Sequence, residues 1–385
     1  MILSLCLASS QAALLVLTPI LAALAADLGV STAAAGQLRT ISGLCAGTTA
    51  LLTGLAASRV GLRELLLAGI GVLALGSAIS AATPSFEILA VAQLLIGIGV
   101  GITYSVAVAA AAEWSRPDER SRVLALALLG PPLAWVVGMP IAGVVGDLSW
   151  RLAWVAVPFG SALVALFAVF RRPSTQPTSV RASLRVVLAA PGAIRWSCGE
   201  LLAYSGWAGC LVFVGALFVE SYGLSLAATG LVLGAGALAY IPGNLLARRW
   251  VDRHSRALLI GLALALATTV ALLGAVRYDV WSSLAIFSAL SFLAGGRTLV
   301  GSASGLHLAP HLRLGITGVR TAALQFGYFI GAALGGLALG AGGYKLLGLA
   351  FSALFVGAAL PHIWPRSRAS EAEAYESLKA PERAT

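Results

Sequence analysis

Charge is what this sequence is short of. Only 10% of its 385 residues are Asp, Glu, Lys or Arg, and 59% are apolar, with a mean hydropathy of +0.93. Soluble globular proteins carry about 25% charged residues, so that class is excluded and a polytopic membrane protein is implied. Cysteine is scarce as well. Cys6, Cys45, Cys198 and Cys210 all lie in apolar runs at spacings that fit no zinc or redox motif, which leaves them as small packing residues. No nucleotide-binding loop occurs, so ATP-driven pumping is excluded as an intrinsic activity. No Lys or Arg precedes the first apolar run, which exceeds the about 7–15 residues of a signal peptide core. Although ALAAD at 23–27 resembles a cleavage site, an uncleaved first helix is expected.

What is present is a succession of apolar runs, each near the roughly 20 residues that one bilayer crossing needs. Runs at 2–26, 33–57, 64–83, 86–110, 122–146, 150–170, 194–219, 225–247, 257–276, 280–303, 315–340 and 344–362 predict twelve crossings. Cytoplasmic loops collect Lys and Arg. With both termini inside, Arg59, Arg63, Arg116, Arg120, Arg122, Arg171, Arg172, Arg195, Arg248, Arg249, Arg253, Arg256, Arg313 and Arg320 fall on the inner side. The outer side keeps Arg151, Arg277 and Lys345. The net charge of +10 is therefore a topology label, and nucleic-acid binding is not needed to explain it.

The longest polar interruption, RRPSTQPTSVRASLR, reads as a linker. It divides the chain into a bundle at 1–170, a cytoplasmic linker at 171–193, a second bundle at 194–365 and a polar tail at 366–385. The halves echo one another, since GLAASRVGLRE after the second run has a counterpart in GNLLARRWVDRHSR after the eighth. Duplicated six-helix units are the arrangement of many secondary transporters, with the site near the midplane between the halves.

Three stretches carry a family resemblance. GLAASRVGLRE is similar to the loop between helices two and three of the major facilitator superfamily, Gly-x-Leu-Ala-Asp-Arg-x-Gly-Arg-Lys, with Gly54, Arg59, Gly61 and Arg63 matching and Ser58 standing where the family has aspartate. WVVGMPIAGVVGDLSWRLAW, with Gly138, Pro140 and Gly143, resembles the antiporter stretch of helix five. AQLLIGIGVG resembles helix four, with Gln93 at the position of an arginine that the family links to proton coupling. The resemblance implies an all-α membrane protein of two pseudo-symmetric six-helix bundles, in the bacterial twelve-helix drug and metabolite efflux branch. It implies a monomer of the inner membrane with cytoplasmic termini, exporting a small, partly apolar molecule by proton antiport. It implies neither an enzyme nor a cofactor, and the partners are substrate, protons and lipid. Gln93 and Ser58 favour an alternative, a facilitator or importer of an organic anion. A rival of another class is a membrane sensor without transport, against which the short loops argue.

Charged groups inside apolar runs are the candidate site residues, because each must find water, a partner or a substrate. Arg39 either pairs with Asp27 at the outer end or lines a cavity. Glu200 is the candidate proton-coupling acid, since burial disfavours its ionised form; its rival role is an ion pair with Arg195. Asp27 is a second coupling candidate. Arg297 has no neutralising neighbour in sequence and needs a partner, for which Glu200 is available. The polar and aromatic cavity candidates are Gln37, Gln93, Tyr104, Trp135, Tyr204, Trp207, Tyr240, Asn244, Gln325 and Tyr328, with Gln11 beside them. His307 and His311 could share a helix face, but no acid or cysteine accompanies them and no metal site is expected.

Overall fold

The computed structural model describes residues 1–56, 59–116, 119–172, 184–308 and 312–363. In hydrocarbon every backbone amide needs an internal partner, which leaves an apolar chain little choice but helix. The described residues form helices and no strands. Crossings one to four are Ile2–Asp27, Leu38–Ala56 with the short helix Thr32–Gly36 before it, Leu62–Ala82 and Phe86–Glu113. Crossing five runs from Arg120–Ala127 through Gly130–Gly146, and crossing six is Trp150–Phe170. In the second half crossings seven to ten are Ala193–Tyr222, Leu226–Ala247, Val251–Ala275 and Val280–Leu308. Arg313–Ile363 comprises two helices that meet at a kink, where Gly342 and Gly343 leave the helical conformation and Gly343 takes φ 62°. It supplies both crossings eleven and twelve. Crossing ten also runs past its expected end at 303, carrying His307 in its final turn, while His311 lies outside the described residues.

The termini of these helices show how the sequence punctuates an apolar chain. Ser31, Ser85, Ser149 and Ser225 cap crossings two, four, six and eight, each hydroxyl accepting a hydrogen bond from a first-turn amide. Crossings one and seven are each followed by a left-handed glycine, Gly29 and Gly223, two residues before such a serine. The same Gly-x-Ser turn thus opens corresponding connections in both halves. Crossings five and six are each interrupted by one wide π turn, at Ala134–Gly138 and Val155–Phe159, the latter accommodating Pro158.

Packing between the halves is concentrated toward the arginine-poor ends. Crossing one meets crossing seven, five meets eight, and two meets eleven. Backbones touch there: a Cβ on Gly215 would lie 1.8 Å from the Thr18 carbonyl oxygen, and one on Gly143 would lie 2.3 Å from that of Leu226. Asp147 accepts a hydrogen bond from the Leu226 amide at 2.7 Å, Thr32 donates to Glu220, and Tyr344 holds the other Glu220 oxygen at 2.8 Å. The segments toward the arginine-rich ends, Ile2–Leu15, Arg120–Ala127 and Tyr240–Ala247, pack chiefly on their own halves.

Part of the loop that carries the resemblance lies within the described residues. Gly54 lies in the last turns of crossing two, and Ser58 lies outside the described residues. Arg59 is exposed, Gly61 precedes the first turn of crossing three in extended conformation, and Arg63 donates to the Phe170 carbonyl at 2.8 Å while pairing with Glu64 at 3.4 Å. A cation at the carboxyl end of crossing six meets the negative end of that helix dipole. The loop is therefore fastened within its own half by Arg63.

Candidate functional site

Two polar centres interrupt the apolar core, one in each half. In the first, Arg39 is fully buried about two turns after Thr32, where the short helix leading into crossing two begins. Its Nη2 donates to the Ala13 carbonyl at 2.8 Å, and its Nη1 donates to Gln93 Oε1 and Ser42 Oγ at 3.3 Å each. The expected pairing with Asp27 is not made. Asp27 sits at the rim of crossing one, where Arg151 at 2.7 Å and the Trp150 indole at 2.9 Å both donate to its carboxylate. Geometry thus separates the two coupling candidates, Asp27 and Glu200, into different halves and depths. Arg39 has no carboxylate among the described residues, and Gln93 keeps an unpartnered amide nitrogen. A guanidinium does stand beside position 93, but it arrives from the neighbouring crossing.

In the second half, Glu200 and Arg297 are buried and joined by an ion pair between Arg297 Nη1 and Glu200 Oε1. Arg320 Nε donates to the other carboxylate oxygen at 3.2 Å, and its Nη2 donates to the Thr298 carbonyl at 2.8 Å. The alternative partner, Arg195, instead binds the Pro361 carbonyl at 2.7 Å, near the end of crossing twelve. The trio closes against Gly301, where a Cβ would fall 2.2 Å from Glu200 Oε1, and the Gly301 carbonyl accepts from the Trp196 indole at 2.9 Å. Position 301 must lack a side chain for the ion pair to lie flat on crossing ten. Beside the trio is a cavity of about 10 Å³, room for one water, lined among others by Tyr204, Trp207 and Thr298.

Arg320 is the functional residue that sequence reasoning misplaced. The sequence puts it among the inner-surface cations; the structure puts it one turn and more inside crossing eleven, against a buried acid on crossing seven. Its position within the apolar run that begins at 315 was the available signal.

Between the two centres lies an aromatic cluster that draws on both halves. Trp135 meets Tyr240 edge-on with ring centroids 4.8 Å apart and Trp207 at 6.0 Å, while Trp207 and Tyr240 stack at 6.2 Å. Such contacts contribute about 0.5–1.5 kcal/mol each beyond area burial. Tyr204 lies under the Arg320 guanidinium at 5.4 Å, and the phenols of Tyr104 and Tyr240 are within its electrostatic reach. Trp135 lies within the π turn; Pro140 and Gly143 follow on the face that packs against crossing eight, while Gly138 faces Val157 of crossing six.

The remaining candidates are spread over the interface. Gln11 donates to the Tyr328 hydroxyl at 2.8 Å, bridging crossings one and eleven. Gln37 donates to the carbonyls of Ala332 and Ala333 at 3.4 Å each. Gln325 is buried with both amide atoms unpartnered among the described residues. Asn244 bonds the Gly295 carbonyl at 3.3 Å, within its own half and away from the aromatic cluster's partners in the first.

The model of the Major Facilitator Superfamily matches this chain twice, over residues 3–195 and 196–382. The chain belongs to the Major Facilitator Superfamily. Among curated relatives of this transporter are the transcription regulatory protein OpdE of Pseudomonas aeruginosa, 28% identical over 92% of this chain and 89% of that one, and a chloramphenicol resistance protein of Streptomyces lividans, 28% identical over 72% and 77%. A chloramphenicol efflux pump of Mycobacterium tuberculosis is 24% identical over 82% of this chain and 80% of its own length. A solved D-xylose–proton symporter superposes with a TM-score of 0.76 at 16% identity, covering 96% of this chain and 97% of that one, which fixes the shared fold. As a major facilitator transporter the chain is a multi-pass membrane protein.

Proposed function

We propose that this major facilitator transporter exports a small, partly aromatic organic molecule by alternating access, in exchange for protons carried by Glu200. The observation that carries the reading is the buried Glu200–Arg297 pair, joined by the partly exposed Arg320, lying beside the Trp135–Trp207–Tyr240 cluster at the junction of the halves. A proton on Glu200 removes the attraction that draws both guanidiniums to one carboxylate, and so biases any conformational equilibrium in which those contacts differ. Contacts between the halves concentrated at the arginine-poor ends support a state open toward the arginine-rich side, which the charge bias assigns to the cytoplasm. The similarity to a chloramphenicol efflux pump of Mycobacterium tuberculosis supports the outward direction. The bacterial inner membrane, a monomeric state and the division at residues 171–193 belong to the same reading.

The test is transport by purified protein in liposomes. An imposed pH gradient is expected to drive accumulation of an aromatic solute such as chloramphenicol, and a protonophore to abolish it. Equilibration that ignores the gradient would replace the exchanger with a facilitator.

A further inference from the structure

We infer that the central site takes an aromatic organic anion, its acidic group on Arg320 and its ring against Trp135, Trp207 and Tyr240. The inference rests on the reading of this cluster as the substrate site and adds the substrate's chemical class.

The first argument is charge. The buried charged side chains among the described residues are Arg39, Glu200 and Arg297, and Arg320 joins them through Glu200. Three guanidiniums stand against one carboxylate. Charges at membrane depth are costly unless paired, so a ligand that brings negative charge is favoured over one that does not.

The second argument is availability. Arg39 is enclosed, with both terminal nitrogens engaged by Ala13, Ser42 and Gln93. Arg297 is spent on Glu200 and the Gly199 carbonyl, and its side chain is 4% exposed. Arg320 differs. Its side chain is 21% exposed, and no described group accepts a hydrogen bond from its Nη1. An anion on Arg320 would leave Arg297 to hold Glu200, giving two balanced ion pairs in place of one carboxylate shared between two cations.

The third argument is the surface next to that guanidinium. Tyr240, within electrostatic reach of Arg320, is packed against Trp135, whose buried indole N–H has no acceptor among the described residues. An acceptor atom on the ligand would satisfy that donor. An aromatic box by itself also suits a quaternary ammonium through cation–π attraction. Here the neighbouring guanidinium repels such a ligand, and Glu200, the only nearby carboxylate among the described residues, already serves two cations.

The experiment uses three probes of one shape and permanent charge state, titrated calorimetrically into the purified full-length protein: 3-phenylpropane-1-sulfonate, 3-phenylpropan-1-ol and trimethyl(3-phenylpropyl)ammonium. The sulfonate is expected to bind about 10- to 100-fold tighter than the alcohol, the range of one charge-assisted hydrogen-bonded contact, and the ammonium is expected not to compete. Arg320→Gln should erase the sulfonate's advantage and leave the alcohol nearly unchanged, while Arg320→Lys retains part of it; thermal unfolding of both variants reports whether they are folded. The wild-type ranking needs no variant. An alcohol or ammonium that binds as tightly as the sulfonate, or a failure of all three to bind, overturns the anion assignment. Loss of alcohol binding in Trp135→Ala would meanwhile uphold the site itself. Sulfonate binding that is indifferent to both Arg320→Gln and Trp135→Ala would overturn the site and the inference together.

Discussion

Replacing Arg39 by Gln separates function from stability more sharply than any other single change. The guanidinium makes one close bond, to the Ala13 carbonyl at 2.8 Å, and two longer ones at 3.3 Å, all from a fully buried position without a described carboxylate. Hydrogen bonds from a charged group contribute about 1.5–3 kcal/mol, so the close contact accounts for most of what is lost. Against this stands the penalty of a cation at membrane depth, about 2.5–3.5 kcal/mol on insertion scales, which Gln does not incur. The two nearly cancel, and Gln can still donate to Gln93. Thermal unfolding in detergent is therefore expected to shift by no more than about 1–2 kcal/mol, the difference between those terms. Transport is expected to fall by roughly tenfold or more, since a group this costly is otherwise without purpose in the first half. Counterflow in proteoliposomes reads the activity. Unfolding destabilised by more than about 3 kcal/mol would show that Arg39 is structural, and wild-type counterflow would show that its charge is dispensable; either result refutes the reasoning.

Other positions give simpler expectations. Gly301→Ala places a methyl where the Glu200 carboxylate now lies, so the trio must shift and gradient-driven transport should drop severalfold, while a distant control such as Gly261→Ala, which meets no atom within 4 Å, leaves it intact. Gly215→Val drives a side chain into the Thr18 carbonyl and wedges crossings one and seven apart. Spin labels at the arginine-poor ends are then expected to report a longer distance between halves, and an unchanged distance would contradict the close approach. Arg63→Ala should free the second connection from the end of crossing six, read as increased hydrogen exchange there without loss of folded protein.

Much of this architecture is legible in the sequence because hydrocarbon imposes it. A chain that must satisfy every amide internally writes each crossing as an apolar run, and the arginines mark the turns. What composition leaves out is register between helices. Glu200 and Arg297 were recognisable as two deep charges in need of partners, and their pairing follows from that need. Arg320 was not, because a cation five residues into a run looks the same on paper whether it snorkels to the surface or turns inward to an acid on another helix. Arg39 presents the same difficulty: the absence of an arginine at Gln93 is visible, whereas its supply from the adjacent crossing depends on how crossings two and four align. The break expected between the runs 315–340 and 344–362 falls at Gly342–Gly343, where the backbone leaves the helical conformation. Asp147 and Glu220 are not among the sequence candidates; the closed arginine-poor side shows them linking the halves.

The central claim is that Glu200 carries the proton that is exchanged for substrate. Solute and proton fluxes recorded together in proteoliposomes, with a pH-sensitive dye entrapped, test it directly for the wild type and for Glu200→Gln. The account predicts opposed proton and solute movement in the wild type, and in the variant solute exchange that persists without any proton movement. Proton flux that remains tied to solute in Glu200→Gln would contradict it.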